Sequence, residues 1–482
     1  MAKIGLLATL EVCKGTRAFW SPSPERKGLI NMKSLMPVIA IAMLSLANPS
    51  AWAASRTKRV IITYKPGTSQ MSCDKTLAKL GGKSLAAVVG EDNGVRKFVA
   101  TVAEIPSDSE LDRRRSASAQ VLGDWVPGVE DLAASDGVLA VEEDYRIKWI
   151  ESAPVSFHNM PLPNGSLETL GLGKFQKISV AHVPQRDEIR WGVRKVMAPS
   201  VWDVTQGAGV KVAVIDTGIY WKHPDLEGQV AGGFNAITED IDPESYLDDN
   251  EPGHGTHVAG IIAAKRNGKG VVGVAPQARL YAVKVLDGEG NGSLSDVIKG
   301  IIWAANNKMQ VVNMSLGTPM PSPAMEEAVR YTKSRDVVIV AAAGNSCVSA
   351  GDPTACKEGS GAVLYPAAYP QTIAVSASTW DKDSQITGFS SRGPEVDFIA
   401  PGNDIVSTIK GDKYDSLGSL SGTSMSAPHV TGLATLAVSL GYRGLEGPDG
   451  VLNKLKTAAR TLPKVASDHQ GSGFLDARKL VD

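Results

Sequence analysis

Apolar and polar positions divide the chain into two differently patterned stretches. From Arg59 the text RVIITYKPG is a β-branched run closed by Pro66-Gly67, which predicts a strand ending in a turn. A helix over Ser72–Leu80 follows, then a strand at Arg96–Val102 and a polar stretch around Arg113–Arg115. A helical segment near Val129–Ser135 and a final strand over Val138–Ile150 complete the alternation. It predicts a βαβαβ unit of about 90 residues with a small core. Residues 151–186 carry Pro154, Pro161, Pro163, Pro184 and Gly165 without sustained periodicity, as a linker or surface-wrapping arm would.

After Asp187 the runs lengthen and become almost continuously apolar: VKVAVID (Val210–Asp216), LYAVKVL (Leu280–Leu286), VVNMSL (Val311–Leu316) and VVIVAAAG (Val337–Gly344). Strands buried on both faces read this way. Helical stretches lie between them at Gly255–Ala264, Leu294–Asn306 and Pro323–Ser334. Strands alternating with helices predict a doubly wound, mostly parallel α/β sheet, here preceded by a small α+β unit. Functional groups are then expected at the carboxyl ends of the strands.

Composition narrows the classes. The chain has 482 residues, 43% of them hydrophobic, with 50 basic against 51 acidic side chains. Balanced charge gives no field that favours nucleic acid or an anionic membrane as partner. Four cysteines make no scaffold of disulfides, and no CxxC pair suggests a zinc or redox site. Near the N-terminus, Lys33 precedes an apolar run from Ser34 to Ala47, then Asn48, Pro49 and Ala51-Trp52-Ala53. A basic start, a short apolar stretch and an A-x-A site have the layout of a secretory signal cleaved after Ala53. A buried helix is the alternative. The residues before Met32 fit no signal and are consistent with translation starting at Met32. Nothing later approaches the roughly 18 apolar residues of a membrane span.

Four places carry candidate chemistry. Asp216 closes a strand, where it is either a turn residue or a carboxylate at the rim of the sheet. In GHGTHVAGIIAA, Gly253–Ala264, His254 opens a helix. His257 shares its face, but the intervening glutamate of a zinc-protease helix is missing. In SGTSMSAPHVTGLATLAVSL, Ser421–Leu440, a helix apolar on nearly every face must be buried. Pro428 belongs in its first turn, which puts Ser424 at the helix start. Asn345 follows a strand, as a turn residue or as a donor to a developing oxyanion. Together they supply a nucleophile, an imidazole base, a carboxylate to orient it and an oxyanion donor. The order Asp, His, Ser is one recurrent solution for acyl transfer.

With those residues stated, the sequence over roughly Asp187–Asp476 resembles the subtilisin-like serine proteases. VAVIDTG, HGTHVAG and GTSMSAPHVTG match the active-site signatures of that family, and AAAGN matches its oxyanion-asparagine segment. The 59–150 stretch resembles the family's inhibitory propeptide, with VEEDYRIKWI like its terminal strand. The resemblance implies a secreted serine endopeptidase made as a self-processing zymogen, extracellular or periplasmic. It implies Ser424 as nucleophile, His254 as general base, Asp216 as its orienting acid and Asn345 in the oxyanion hole. Polypeptide substrates are expected to add as a strand between Gly290-Asn291-Gly292 and Ser315-Leu316-Gly317. A structural calcium is implied at Asp225, Asn267 and Asp187, despite Lys265, Arg266 and Lys269 nearby. Cys347 and Cys356 bracket a Gly/Pro-bearing insertion and are expected to pair, two free thiols being the other reading.

The implied organisation is an upstream extension and signal over 1–53, a propeptide over 54–150, an arm over 151–186 and a catalytic domain over 187–482. The propeptide is expected to act as an intramolecular inhibitor, with no integral membrane segment once the signal is removed. Two other classes remain open on the residues themselves: a protease-like fold that binds peptides without cutting them, and a metal-dependent hydrolase.

Overall fold

The computed structural model describes residues 57–79, 82–92, 95–107, 137–150, 188–348, 356–357, 360–380 and 385–482. The signal-like stretch, the helix expected near Val129–Ser135, the 151–186 arm and Asp187 lie outside these residues.

The first elements are β1 (Thr57–Tyr64), α1 (Gln70–Lys79), β2 (Lys83–Asp92), β3 (Val95–Pro106) and β4 (Val138–Glu143). The strands form an antiparallel sheet in the order β2-β3-β1-β4. Period-two alternation sorts its side chains: Val60, Ile62 and Tyr64 pack with Cys73 and Leu77 of α1, while Ile61, Val88, Ala100 and Val102 face the rest of the molecule. Two sequence expectations change here. KSLAAVVGED, unassigned by its pattern, is β2, since pairing with β3 along its length outweighs its weak β-propensity. The expected single strand over 138–150 is two. β4 stays in this sheet, and β5 (Arg146–Lys148) leaves it. Between them, Asp144 turns its carboxylate to Arg59 at 2.6 Å and to a neighbouring helix.

The larger part contains α2 (Trp191–Lys195), β6 (Lys211–Asp216), β7 (Val230–Asn235), α3 (His254–Ala263), β8 (Arg279–Lys284) and β9 (Asn291–Ser293). It continues through α4 (Leu294–Asn306), β10 (Val311–Met314), α5 (Pro323–Lys333), β11 (Val338–Ala342), β12 (Ile373–Ser378), β13 (Val396–Pro401), β14 (Ile405–Thr408), β15 (Leu417–Leu420) and α6 (Thr423–Ser439). Parallel pairing sets the order β13-β12-β11-β10-β6-β8-β7. Val212 and Val214 of β6 face the core shared by α3 and α6; Ala213 and Ile215 face that of α4 and α5. Helices cover both faces, which is the doubly wound α/β arrangement. From β6 the chain builds outward in both directions, so the crevice beside its carboxyl end is the switch point.

Helix α6 is buried from Thr423 to Val438. Pro428 lies in its second turn, not its first as expected. Proline has no N–H to give the carbonyl of Ser424, four residues earlier. Ser315 Oγ fills that role, donating to Ser424 O at 2.7 Å. Cys347 and Cys356 form a disulfide. Among the described residues, no helix is long and apolar enough to cross a membrane.

Candidate active site

Three elements converge at the switch point. β10 runs beside β6 with Met314 opposite Ile215, so Ser315 leaves the sheet next to Asp216. Against that exit α6 begins: Ser424 Oγ donates to the Ser315 carbonyl at 3.2 Å. On the other side α3, packed against α6, begins with His254. His254 Nδ1 lies 2.8 Å from Asp216 Oδ1. Ser424 and His254 are 6% and 7% exposed and Asp216 is fully buried, so the group meets solvent only through the serine and the imidazole. The serine hydroxyl is directed to Ser315 here, and rotation about its Cα–Cβ bond redirects it.

The start of α3 is held by side chains from two loops. Its cap residue, Gly253, contributes no side-chain bond. Instead His254 N donates to Asn250 Oδ1 at 3.0 Å, Gly255 N to Thr217 Oγ1 at 3.0 Å and Thr256 N to Asp248 Oδ2 at 2.9 Å. These satisfy N–H groups that a first helical turn leaves without partners. Position 255 has to be glycine, because a Cβ there would come within 2.1 Å of the Gly218 carbonyl. Asp216 Oδ1 also accepts from Thr217 N at 2.7 Å, fixing the carboxylate that meets the ring.

Electrostatics follow from this packing. Burial works to lower the pKa of His254, but the charge and hydrogen bond of Asp216, with Asp248 beyond it, hold it above the usual imidazole value. His257, one turn on, is different. Burial lowers it to about 3, and its Nε2–H donates to the carbonyls of Ile405 at 2.9 Å and Gly418 at 3.0 Å. The two histidines therefore serve different partners, and no cluster of three His, Cys, Asp or Glu that could hold a metal occurs among the described residues.

Asn345 lies just beyond β11. Its Oδ1 accepts from Thr423 N at 2.9 Å and Thr423 Oγ1 at 3.1 Å, leaving the amide nitrogen toward Gly422. As a first-turn residue of α6, Ser424 has a backbone N–H with no acceptor inside the helix.

The Gly290–Gly292 and Ser315–Gly317 segments flank a cleft, and residues 145–150 run through it. β5 pairs antiparallel with β9, Ile147 opposite Gly292. Trp149 N donates to Gly290 O and Gly317 N to Trp149 O, both at 3.0 Å. The Trp149 ring is 1% exposed and its Nε1 donates to Gly292 O at 2.9 Å. Just upstream, two carboxylates cap helices of the larger part. Glu142 Oε1 accepts from Ala324 N at 2.7 Å, and Asp144 accepts from Ser295 N and Ser295 Oγ, both at 2.9 Å.

Farther off, Asp225 is fully buried, and burial raises its pKa to about 6. Asn267 Nδ2 donates to its Oδ1 at 2.9 Å, and Val271 N donates to Oδ2 at 3.0 Å. Gly270 has a φ of +53°, and a Cβ there would fall 1.9 Å from Asp225 Oδ2. Both oxygens of this desolvated carboxylate thus accept from N–H donors of the 265–271 loop. Sequence reading missed Asp248, Thr217 and Thr256, although the run Asp248-Asp249-Asn250 ahead of His254 was a visible polar signal.

Comparison with known proteins shows the family to which the chain belongs. Residues 207–473, more than half of the chain, match the Subtilase family. An "Intracellular serine protease" of Paenibacillus polymyxa is 42% identical over 297 residues, covering 60% of this chain and 86% of that protein. "Subtilisin Savinase" of Lederbergia lenta is 42% identical over 292 residues, covering 60% of this chain and 97% of its own. The crystal structure of fervidolysin from Fervidobacterium pennivorans, a keratinolytic enzyme related to subtilisin, superposes with a TM-score of 0.65 at 26% identity. That match covers 88% of this chain and 61% of fervidolysin. The chain belongs to the subtilase family and is a serine-type endopeptidase.

Proposed function

We propose that the protein is a secreted, self-processing endopeptidase zymogen that works through Asp216, His254 and Ser424. Ser424 Oγ attacks the scissile carbonyl carbon while His254 Nε2 takes its proton. The tetrahedral oxyanion is received by the Asn345 amide and the Ser424 N–H. His254 then protonates the leaving amine, and water repeats the sequence on the acyl-enzyme. Asp216 holds the ring tautomer that keeps Nε2 facing the serine. The observation that carries the reading is the 2.8 Å His254–Asp216 bond beside a serine at a helix start.

The 54–150 stretch acts as the inhibitor. Residues 145–150 take the β-strand position of a substrate, Trp149 anchors them, and Glu142 and Asp144 fasten them to two helix N-termini, where negative charge is favoured. A signal over the first 53 residues and the Cys347–Cys356 bridge support export to an oxidising compartment. By family resemblance Asp225 and, with its amide turned so that the oxygen faces inward, Asn267 would hold a calcium that ties the 265–271 loop to the body of the enzyme.

The test compares wild type with Ser424→Ala in a protease-free host. Wild type is labelled by an organophosphonate and loses its N-terminal portion. The variant does neither, with turnover lower by about 10⁶, the magnitude characteristic of subtilisin itself and carried over by family. Equal trimming of the variant refutes self-processing, and labelling elsewhere refutes Ser424 as nucleophile.

A further inference from the structure

Behind the proposed triad lies a second buried carboxylate. Asp248 is 1% exposed, sits in the loop before α3 and touches neither the serine nor the imidazole by any hydrogen bond. Its Oδ2 accepts from Thr256 N at 2.9 Å and Thr256 Oγ1 at 2.5 Å, and its Oδ1 from Asn250 N at 3.1 Å. Thr217, the residue after Asp216, donates its hydroxyl to Asp216 Oδ1 at 3.2 Å. Thr256 Oγ1 in turn accepts from Tyr220 N at 2.9 Å, so its proton is the one given to the carboxylate. Every neighbour donates, and a carboxyl proton would find no acceptor. Burial raises its pKa, and these donors act against that by favouring the ionised form.

The connections lead to the chemistry from two sides. Through Thr256, Asp248 fixes the first turn of α3, which carries His254. Through the same Thr256 hydroxyl, which accepts from Tyr220 N at 2.9 Å, it reaches the segment just past the strand end that carries Asp216. Lys284 closes the frame, its Nζ donating to Thr217 O at 2.7 Å, Leu286 O at 2.8 Å and Asp249 Oδ1 at 2.6 Å. We propose that Asp248 is a positioning residue for the proteolytic reaction: its buried carboxylate locks the helix start bearing His254 to the strand end bearing Asp216. The inference rests on the triad reading above.

Its charge supplies a readout that packing alone would not move. The titratable groups facing His254 are Asp216 from β6, Asp248 from the loop and His257 from its own helix. The other charges of the frame are paired at its rim, Lys284 with Asp249 and Lys410 with Glu251. Removing the Asp248 charge while keeping its shape should therefore make the imidazole easier to deprotonate.

The experiment measures kcat, KM and the pH profile of kcat/KM for mature wild type, Asp248→Asn and Thr256→Val. For Asp248→Asn the expected result is kcat down by about tenfold or more, KM nearly unchanged and the acid limb moved to lower pH by about half a unit or more. Thr256→Val, which keeps the charge and removes one link, lowers kcat and leaves the limb in place. The proposal is overturned if Asp248→Asn lowers only the melting temperature, with kcat and the limb as in wild type. It is overturned equally if the loss lies in KM alone. Organophosphonate labelling of Ser424 in wild type keeps the two ideas apart: no labelling sinks the triad, whereas normal labelling with an unmoved limb sinks only Asp248.

Discussion

At the scale of single residues, His254 feels opposed forces. Burial disfavours its cation and the Asp216 carboxylate favours it, and the second prevails. A base has to be neutral to accept a proton, so activity falls as pH drops through the pKa of this ring. The acid limb of kcat/KM is therefore expected above the ordinary imidazole value of about 6.5; titrating initial rates on a neutral peptide checks it. Asn345 is tied by its oxygen to Thr423. Asn345→Ala should lower kcat by about 10²–10³, or about 3–4 kcal/mol, with KM little changed; this is the loss typical of subtilisin's oxyanion hole. Steady-state kinetics on the mature enzyme separate the two constants.

At the scale of elements, an α-helix that contains a proline still delivers a serine to the right place, because Ser315 on a neighbouring strand exit satisfies the carbonyl the proline cannot. The strand expected over 138–150 divides for a related reason. Asp144 serves Arg59 and the start of α4, and residues beyond it pair with β9. Those residues bind mainly by main-chain bonds, with one large anchor. Trp149→Ala in the isolated 54–150 segment should weaken its inhibition of mature enzyme by about 10²-fold or more, since truncating a buried tryptophan costs about 3–5 kcal/mol. Inhibition constants measured in trans check this, and an unchanged constant would show that Trp149 is no anchor.

At the scale of the molecule, the 265–271 loop and Asp225 form a region distinct from the catalytic crevice. Chelation should lower the thermal stability of mature wild type, added calcium should restore it, and Asp225→Ala should be insensitive to either. Inactivation half-lives with and without chelator report this, because a protease that digests its unfolded copies has a kinetic rather than an equilibrium stability.

Much of this was legible in one dimension. Continuous apolar runs such as VKVAVID can only be strands buried on both faces, so a parallel sheet under two layers of helix followed from hydrophobicity alone. Asp216, His254, Asn345 and Ser424, each ordinary alone, stood out jointly, by their order and by signatures that resemble those of the subtilisin-like proteases. β2 was not legible, since two alanines and a glycine commit to a strand only when β3 offers its full edge. Asp248 was not legible as a partner of His254 either. Its proposed role depends on Tyr220, remote in the chain, arriving from beyond the end of β6 to meet Thr256. Local pattern encodes what a segment buries and how it punctuates; distances between side chains from separate segments arise only when burial of both sheet faces forces those segments together. For that reason the candidate reacting groups could be read along the chain, while the packing that orients them existed only in the folded protein.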